Sequence, residues 1–374
     1  MIFLAILIVI GYIAFFSTIY KKNNKIIYFI FASIFIILSM FRYGIGTDYI
    51  AYLNYYKNNS VGVINSIRFD NHMDIGYRIL MGISKKLGIS FEGFIMIISF
   101  IMIALVSYII INNSKNRILS LFVFYSVYYQ IYINSAIRQG IALSIFIYAF
   151  YKYLKNGNNK KYIISIIFAA LFHKSILITL IIVLINRKIE FLFQKTKLNI
   201  FFLFIAIAIF LFKGERLFVT LFNIGYKTQE VNILAILLRV IILMFIIYLY
   251  INSEENSVGN FEKLQIYLIY IGLIIYFIFC RINIMSRLTE YFSIIEVILI
   301  PNLLTYLKGI NLSKRIICVA FYIVICSSIY IKDTKSFLEQ GSYFSKNILD
   351  YKYISIFNKD EIYLYRNMNI NMDI

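Results

Sequence analysis

Five arginines lie in or beside long apolar runs, where a charged group is expensive: Arg42, Arg138, Arg239, Arg281 and Arg287. An arginine at the centre of a membrane helix costs at least about 2.5–3.5 kcal/mol and is kept mainly where it has a task. Arg42 ends one apolar run and Arg138 opens another. Arg239 sits inside a third, and Arg281 and Arg287 flank a short turn. In the topology favoured below, all five fall on one half of the membrane. A guanidinium is a planar fork that grips phosphate oxygens two at a time, which lysine cannot do. Together they point to a phosphate or pyrophosphate; singly, each could be a terminal arginine reaching for headgroups.

Proton-transfer chemistry needs a group that titrates near neutrality, and His173 in ALFHKSIL is the histidine that falls within an apolar run. It is a candidate general base, against the plainer reading of a structural hydrogen-bonder. Asp48 follows Gly44 and Gly46 in RYGIGTDYIAY, where glycines suit a tight turn or close approach to an anion. With Arg42 before it, the segment reads as the edge of a site. Tyr52 and its neighbouring tyrosines are belt anchors or sugar platforms. Arg287 and Glu290 are three apart and share a helical face, so an ion pair that orients Arg287 is expected. Glu290 and Glu296, six apart, should point to different faces.

No CxxC occurs, His72 and His173 are far apart, and Cys280, Cys318 and Cys326 all lie in or at the ends of apolar runs. A structural zinc site and a disulfide framework are therefore not expected. No metal and no cofactor is required, although Asp70 and Asp74 in FDNHMD leave a metal open.

The elements that must position these groups follow from composition. Of 374 residues 61% are hydrophobic and only 15% charged, and a soluble fold would have to expose that surplus as a large patch. Spans of roughly 20 apolar residues cross a bilayer. The runs are Ile2–Tyr20, Ile26–Phe41, Phe94–Ile111, Ile118–Ile133, Gln139–Tyr151, Tyr162–Ile185, Leu198–Phe212, Ile233–Ile251, Ile266–Cys280, Leu288–Leu307 and Ile316–Ile331. The expectation is an all-α, polytopic integral membrane protein with about 11–12 transmembrane or re-entrant helices. Residues 1–331 would form one multi-pass membrane domain, with 42–93 as the main outer loop and 332–374 as a polar tail. The first run lacks a basic flank and a cleavage site, so it reads as a span and not a removed signal. Pro301 should kink its helix. The net charge of +19 is explained by lysines and arginines on cytoplasmic loops and not by nucleic acid.

The run Tyr162–Ile185 carries His173-Lys174 at its centre, so it is one span or a hairpin of two short helices. The hairpin puts the loops 21–25, 112–117, 152–161, 187–197, 252–265 and 308–315 inside. Basic density is then roughly twice that of the outer loops, as the positive-inside rule asks. The single span inverts everything after 186 and puts the acidic loop 252–265 outside. The hairpin is favoured.

RYGIGTDYIAYLNYY, MDIGYRIL, AIRQGIALSIFIYAFYKYL, ALFHKSILI and SRLTEYFSIIEVILIPNLL occur in that order. In this the chain resembles the EpsG-type family of Wzy-like polymerases of bacterial surface polysaccharides, from about residue 40 to about 305. The resemblance implies an inner-membrane enzyme that joins oligosaccharide repeat units carried on undecaprenyl pyrophosphate, at the outer face. It implies membrane lipids, a chain-length regulator and a flippase as partners, and no nucleic acid. The matching positions are Arg42, Asp48, Tyr52, Arg138, Gln139, His173, Ser175, Arg287 and Tyr291. One departure is Asp74 before Ile-Gly-Tyr, where the family pattern has Glu; the shorter acid puts a catalytic role for Asp74 in doubt. His173 and Asp48 are thus the candidate catalytic residues. Arg42, Tyr52, Arg138, Gln139, Arg239, Arg281, Arg287, Glu290 and Tyr291 are the candidate substrate contacts. The rival functions are a transporter of polysaccharide or lipid-linked oligosaccharide, and a polyprenyl-phosphate-dependent glycosyltransferase.

Overall fold

A computed structural model describes residues 2–68, 73–212, 231, 233–254, 257–282, 287–307, 311–340 and 348–360. Among the described residues no strand forms, and the apolar runs are helical. In hydrocarbon every backbone group must be satisfied within its own segment, and runs almost free of proline satisfy it as helices. Polar residues at the run ends supply caps: Asn24 accepts from Ile26 N, Ser90 from Gly93 N and Asn116 from Leu119 N.

The helices are α1 (Ile2–Ile19), α2 (Lys25–Met40), α3 (Tyr49–Asn58), α4 (Val63–Arg68), α5 (Ile75–Lys86) and α6 (Phe91–Asn113). Then come α7 (Arg117–Val123), α8 (Ile137–Ala149), α9 (Asn159–Ala170), α10 (Ile181–Arg187), α11 (Ile189–Gln194) and α12 (Thr196–Leu211). The last are α13 (Ile233–Ile251), α14 (Asn260–Phe279), α15 (Glu290–Ser293), α16 (Glu296–Tyr306) and α17 (Leu312–Gln340). Six segments are long and apolar enough to cross a membrane among the described residues, while α2 and α12 are shorter apolar helices. Two further crossings are composite. α7 widens into a π-helix over Phe124–Ser135, and α8 continues as π-helix over Phe150–Leu154.

The chain reverses within Tyr162–Ile185. α9 stops at Ala170, His173 is extended (φ −159°, ψ 106°), and a 3-10 helix over Lys174–Leu180 leads into α10. The Tyr162 hydroxyl donates to Thr179 O at 2.9 Å, so two residues that a straight helix would hold far apart are neighbours. The segment is a hairpin. Its ends lie with the other loops that carry the basic charge. Asn260 meets Glu190 at 2.5 Å, Glu254 N bonds Tyr306 O, and Asn302 bonds both Asn113 O and Lys115 N. Asn23 bonds Lys115 O, and Lys155 bonds Asn113. Loops 187–197 and 112–117 therefore share one end of the bundle, which the single-span reading does not allow.

The opposite end gathers α3, α4 and α5, the hairpin tip and the start of α8. α17 runs past residue 331 to Gln340, and 348–356 folds back on this end. There Tyr43 N bonds Ile354 O and Ile356 N bonds Phe41 O, and Tyr351 stacks on Phe3. The first part of the expected tail is thus packed on the membrane domain. The run holding Pro301 is interrupted at Ile294–Ile295, between α15 and α16, and α16 continues through the proline.

Candidate active site

Asp74 precedes α5 in the N-cap position, yet its side chain makes no cap bond. The carboxylate reaches outward instead: Oδ2 lies 2.6 Å from Arg138 Nη1 and 4.0 Å from His173 Nδ1. Each partner is delivered by a break in a helix. His173 occupies the extended residue of the hairpin tip, and Arg138 stands in the first turn of α8, just after the π-helix ends. Gly76 locks the tip beneath α5. Its N–H donates to Leu171 O at 2.7 Å, and a Cβ there would lie 2.8 Å from Leu171 Cβ and O. Only glycine lets the two backbones approach so closely. Gly46 plays the same part beside Asp48: its φ is +125° and a Cβ would meet Asn134 O.

Tyr52, buried on α3 and packed on Tyr77, lies beside the Arg138 side chain. Asp48 lies in its electrostatic neighbourhood and accepts from Thr47 Oγ1, which in turn meets Ser135 Oγ. Across the tip, Ser175 Oγ meets Tyr291 Oη at 3.1 Å, and Tyr291 lies in the field of Asp74. His173, Arg138, Tyr52, Tyr291 and Asp48 are therefore brought to one place. Burial alone would raise the Asp74 carboxyl. The nearby His173 ring and the charge of Arg138 outweigh it and hold Asp74 below the usual carboxylate range.

The other arginines do not join this cluster. Arg42 is 1% exposed, and its guanidinium is taken by Ser39 O at 2.5 Å, Ser99 Oγ at 2.7 Å and Ile133 O at 3.0 Å. It ties α2 to α6 and to the π-helix end from which Arg138 emerges. Arg281 donates to Phe210 O and lies over the Phe210 ring. Gln139 Nε2 bonds Arg287 O, which fixes the turn before α15, and the Arg287 side chain is exposed.

Two expectations about the run from residue 287 are corrected. Glu290 pairs with Arg239 (2.6 Å to Nη2) and not with Arg287. Arg239 also donates to Ser293 Oγ and lies over the Tyr276 ring. Glu290 and Glu296 do not point to different places: the turn at Ile294–Ile295 keeps helical dihedrals but is tightened by bonds three residues back, from Val297 N to Ile294 O and from Ile298 N to Ile295 O. Both line one cavity of about 170 Å³.

Asp74 is the acid that sequence reasoning set aside, and it is the one in contact with both His173 and Arg138. The available signal was its place at the head of MDIGYRIL, since an acid before a helix whose side chain does not cap is free to reach elsewhere. Among the described residues no group of three His, Cys, Asp or Glu side chains could hold a metal ion. Asp70 and His72 lie outside the described residues.

The fold and the cluster define a class: a multi-pass, all-α membrane protein that gathers an acid, a histidine and an arginine at one end of its bundle. Residues 25–353 match the EpsG family, and the chain belongs to that family. Its membership and its helices make it a polysaccharide polymerase-like membrane protein. No curated protein and no solved structure matches it.

Proposed function

We propose that the protein is a glycosyltransferase that polymerises oligosaccharide repeat units carried on undecaprenyl pyrophosphate. The reaction takes place at the outer face of the bacterial inner membrane, which is the end holding α3–α5. The observation that carries this reading is the cluster of His173, Asp74 and Arg138, half-buried beneath α5 and accessible from that end. In glycosyl transfer, the acceptor hydroxyl oxygen bonds to the donor's anomeric carbon, the carbon–oxygen bond to pyrophosphate breaks, and the hydroxyl proton must be removed. His173 takes that proton, and Asp74 holds the ring and balances the charge it gains. Pyrophosphate leaves with its electron pair, and Arg138 stabilises the charge as it develops. Tyr52 holds Arg138 in place. Arg42 contributes as a brace, because both terminal nitrogens of its guanidinium are engaged by the protein. The product, O-antigen, capsule or exopolysaccharide, would be made together with a flippase and a chain-length regulator.

The test is reconstitution. Purified protein in nanodiscs, given only undecaprenyl-pyrophosphate repeat units, should make dimers and longer oligomers, with no nucleotide sugar because the donor bond is already activated. His173→Ala should slow this by about 10²–10⁴, the usual cost of losing a general base. A protein inert until a divalent metal or a nucleotide sugar is added would instead be a glycosyltransferase of the other kind. One that moves intact units across the bilayer without joining them would be a transporter.

A further inference from the structure

Behind α15, on the side away from His173, lies the cavity lined by Glu290 and Glu296. Tyr291 faces the hairpin tip while Glu290 faces the cavity, so this one turn of helix is a wall common to both. Ser293 of α15 joins Glu290 and Glu296, and the remaining lining comes from α13, α14, α17 and the π-helix, including Tyr128, Tyr132, Arg239, Lys332 and Asp333. The volume, about 170 Å³, is far more than the 10–15 Å³ a single water needs.

The charges inside are already matched. Arg239 is held by Glu290 at 2.6 Å, and Lys332 by Asp333 at 2.9 Å. That leaves Glu296, whose Oε1 accepts from Tyr128 at 2.8 Å. No uncompensated positive charge remains, so a pyrophosphate would meet a neutral or negative wall. That answers the expectation that Arg239 grips phosphate. Two polar groups of the wall nonetheless have unused capacity: the hydroxyl of Tyr132 and the second oxygen of Glu296 make no hydrogen bond among the described residues, and both open on the cavity. Tyr132 lies in the field of Glu290, Arg239, Arg287 and Asp333. Polar groups that open on a cavity are completed by water or by a ligand that takes the water's place. Apolar side chains of Leu238, Ile269 and Leu273 form the rest of the wall.

We infer that this cavity is a sugar subsite: it takes a neutral, hydroxyl-bearing ring of the oligosaccharide, with Glu296 and Tyr132 bonding its hydroxyls and the apolar wall lying against its carbon–hydrogen face. This rests on the polymerase reading and deepens it. Pyrophosphate is handled on the His173 side of α15, and a sugar unit of the bound chain on the other.

The probe is the free repeat-unit oligosaccharide, cleaved from its lipid and pyrophosphate, added to the full protein in nanodiscs and followed by saturation-transfer NMR. Wild type should bind it, inorganic pyrophosphate should not compete, and Tyr132→Phe should weaken binding about 5–10-fold, the worth of one hydrogen bond. Leu273→Phe, which fills the cavity and leaves every polar group in place, should weaken it further. Competition by pyrophosphate, or unchanged binding in both variants, would overturn the assignment. The two readings fail separately. Normal polymerisation of lipid-linked units with no effect of either variant on oligosaccharide binding removes the sugar cavity alone. Variant-sensitive binding in a protein that never joins units removes the polymerase alone.

Discussion

Replacing Asp74 by Asn keeps the side chain's shape and removes its charge, so it isolates the contribution of one carboxylate. The native carboxylate lies 2.6 Å from Arg138 with only 12% of its side chain exposed, close enough and dry enough for the charge to count. A charge-assisted hydrogen bond of this kind contributes about 1.5–3 kcal/mol, and part of that should appear as a lower melting temperature. The larger effect should be on rate. Asp74 also faces His173 Nδ1 at 4.0 Å, and losing the group that orients and balances a histidine base costs about 10²–10⁴ in turnover. The assay is oligomer formation from lipid-linked repeat units in nanodiscs, beside thermal unfolding of the same samples. The folded state holds the Asp74 carboxyl below its usual range, so the bridge stabilises at pH values above the unfolded carboxyl's range. That stability declines as pH falls below the unfolded carboxyl's range and is gone once pH has fallen through the lower, folded-state value. The stability gap between wild type and Asp74→Asn should therefore be full at neutral pH and close only in acid. Asp74→Glu restores a carboxylate and should recover much of the rate. An Asn variant that polymerises at the wild-type rate would refute the assignment of Asp74 as partner to His173.

Arg42→Lys should lower the melting temperature and the yield, because an ammonium cannot span the three acceptors that the guanidinium joins; a fully stable but inactive variant would put Arg42 on the substrate instead. Gly76→Ala drives a methyl group into Leu171, an overpacking worth about 1–3 kcal/mol. It should cut polymer formation at least about tenfold at normal protein level by displacing the hairpin tip, and wild-type activity would show that the tip's position is unimportant. For orientation, cysteines are placed at Ser60 and Leu192 in a chain lacking Cys280, Cys318 and Cys326. An impermeant thiol reagent applied outside should label position 60 and spare position 192; the reverse pattern inverts the protein in the membrane.

Much of the fold could be read along the chain, because partition between water and lipid is decided over about 20 residues at a time. The runs, the basic loops and the reversal at His173-Lys174 are local in that sense. The unexpected features depend on backbone that departs from a straight helix. The tightened turn at Ile294–Ile295 lies between Glu290 and Glu296, which line the same cavity although an ideal α-helical wheel sets them about 120° apart.

For the site, the residues' types pointed to the chemistry, and distance in space decided the partners. Histidine in an apolar run and arginines at run ends mark a site because burying them without a purpose is too costly, a property of each residue alone. Which acid serves His173 was not such a property. Asp48 and Asp74 are both acids beside glycines at the start of a helix, and it is the docking of Leu171 on Gly76 that brings Asp74 to the histidine. Arg42 and Arg239 looked alike in sequence to Arg138. Only the packed structure shows that Ser39 O, Ser99 Oγ and Ile133 O hold the first, Glu290 the second, and Asp74, beside His173, the third. The sequence by itself determined a membrane-embedded helical bundle and the kinds of groups it keeps at one end. Tertiary structure alone determined their pairing, because charges choose partners by separation in space, over a few ångströms, between residues as many as 99 positions apart in the chain.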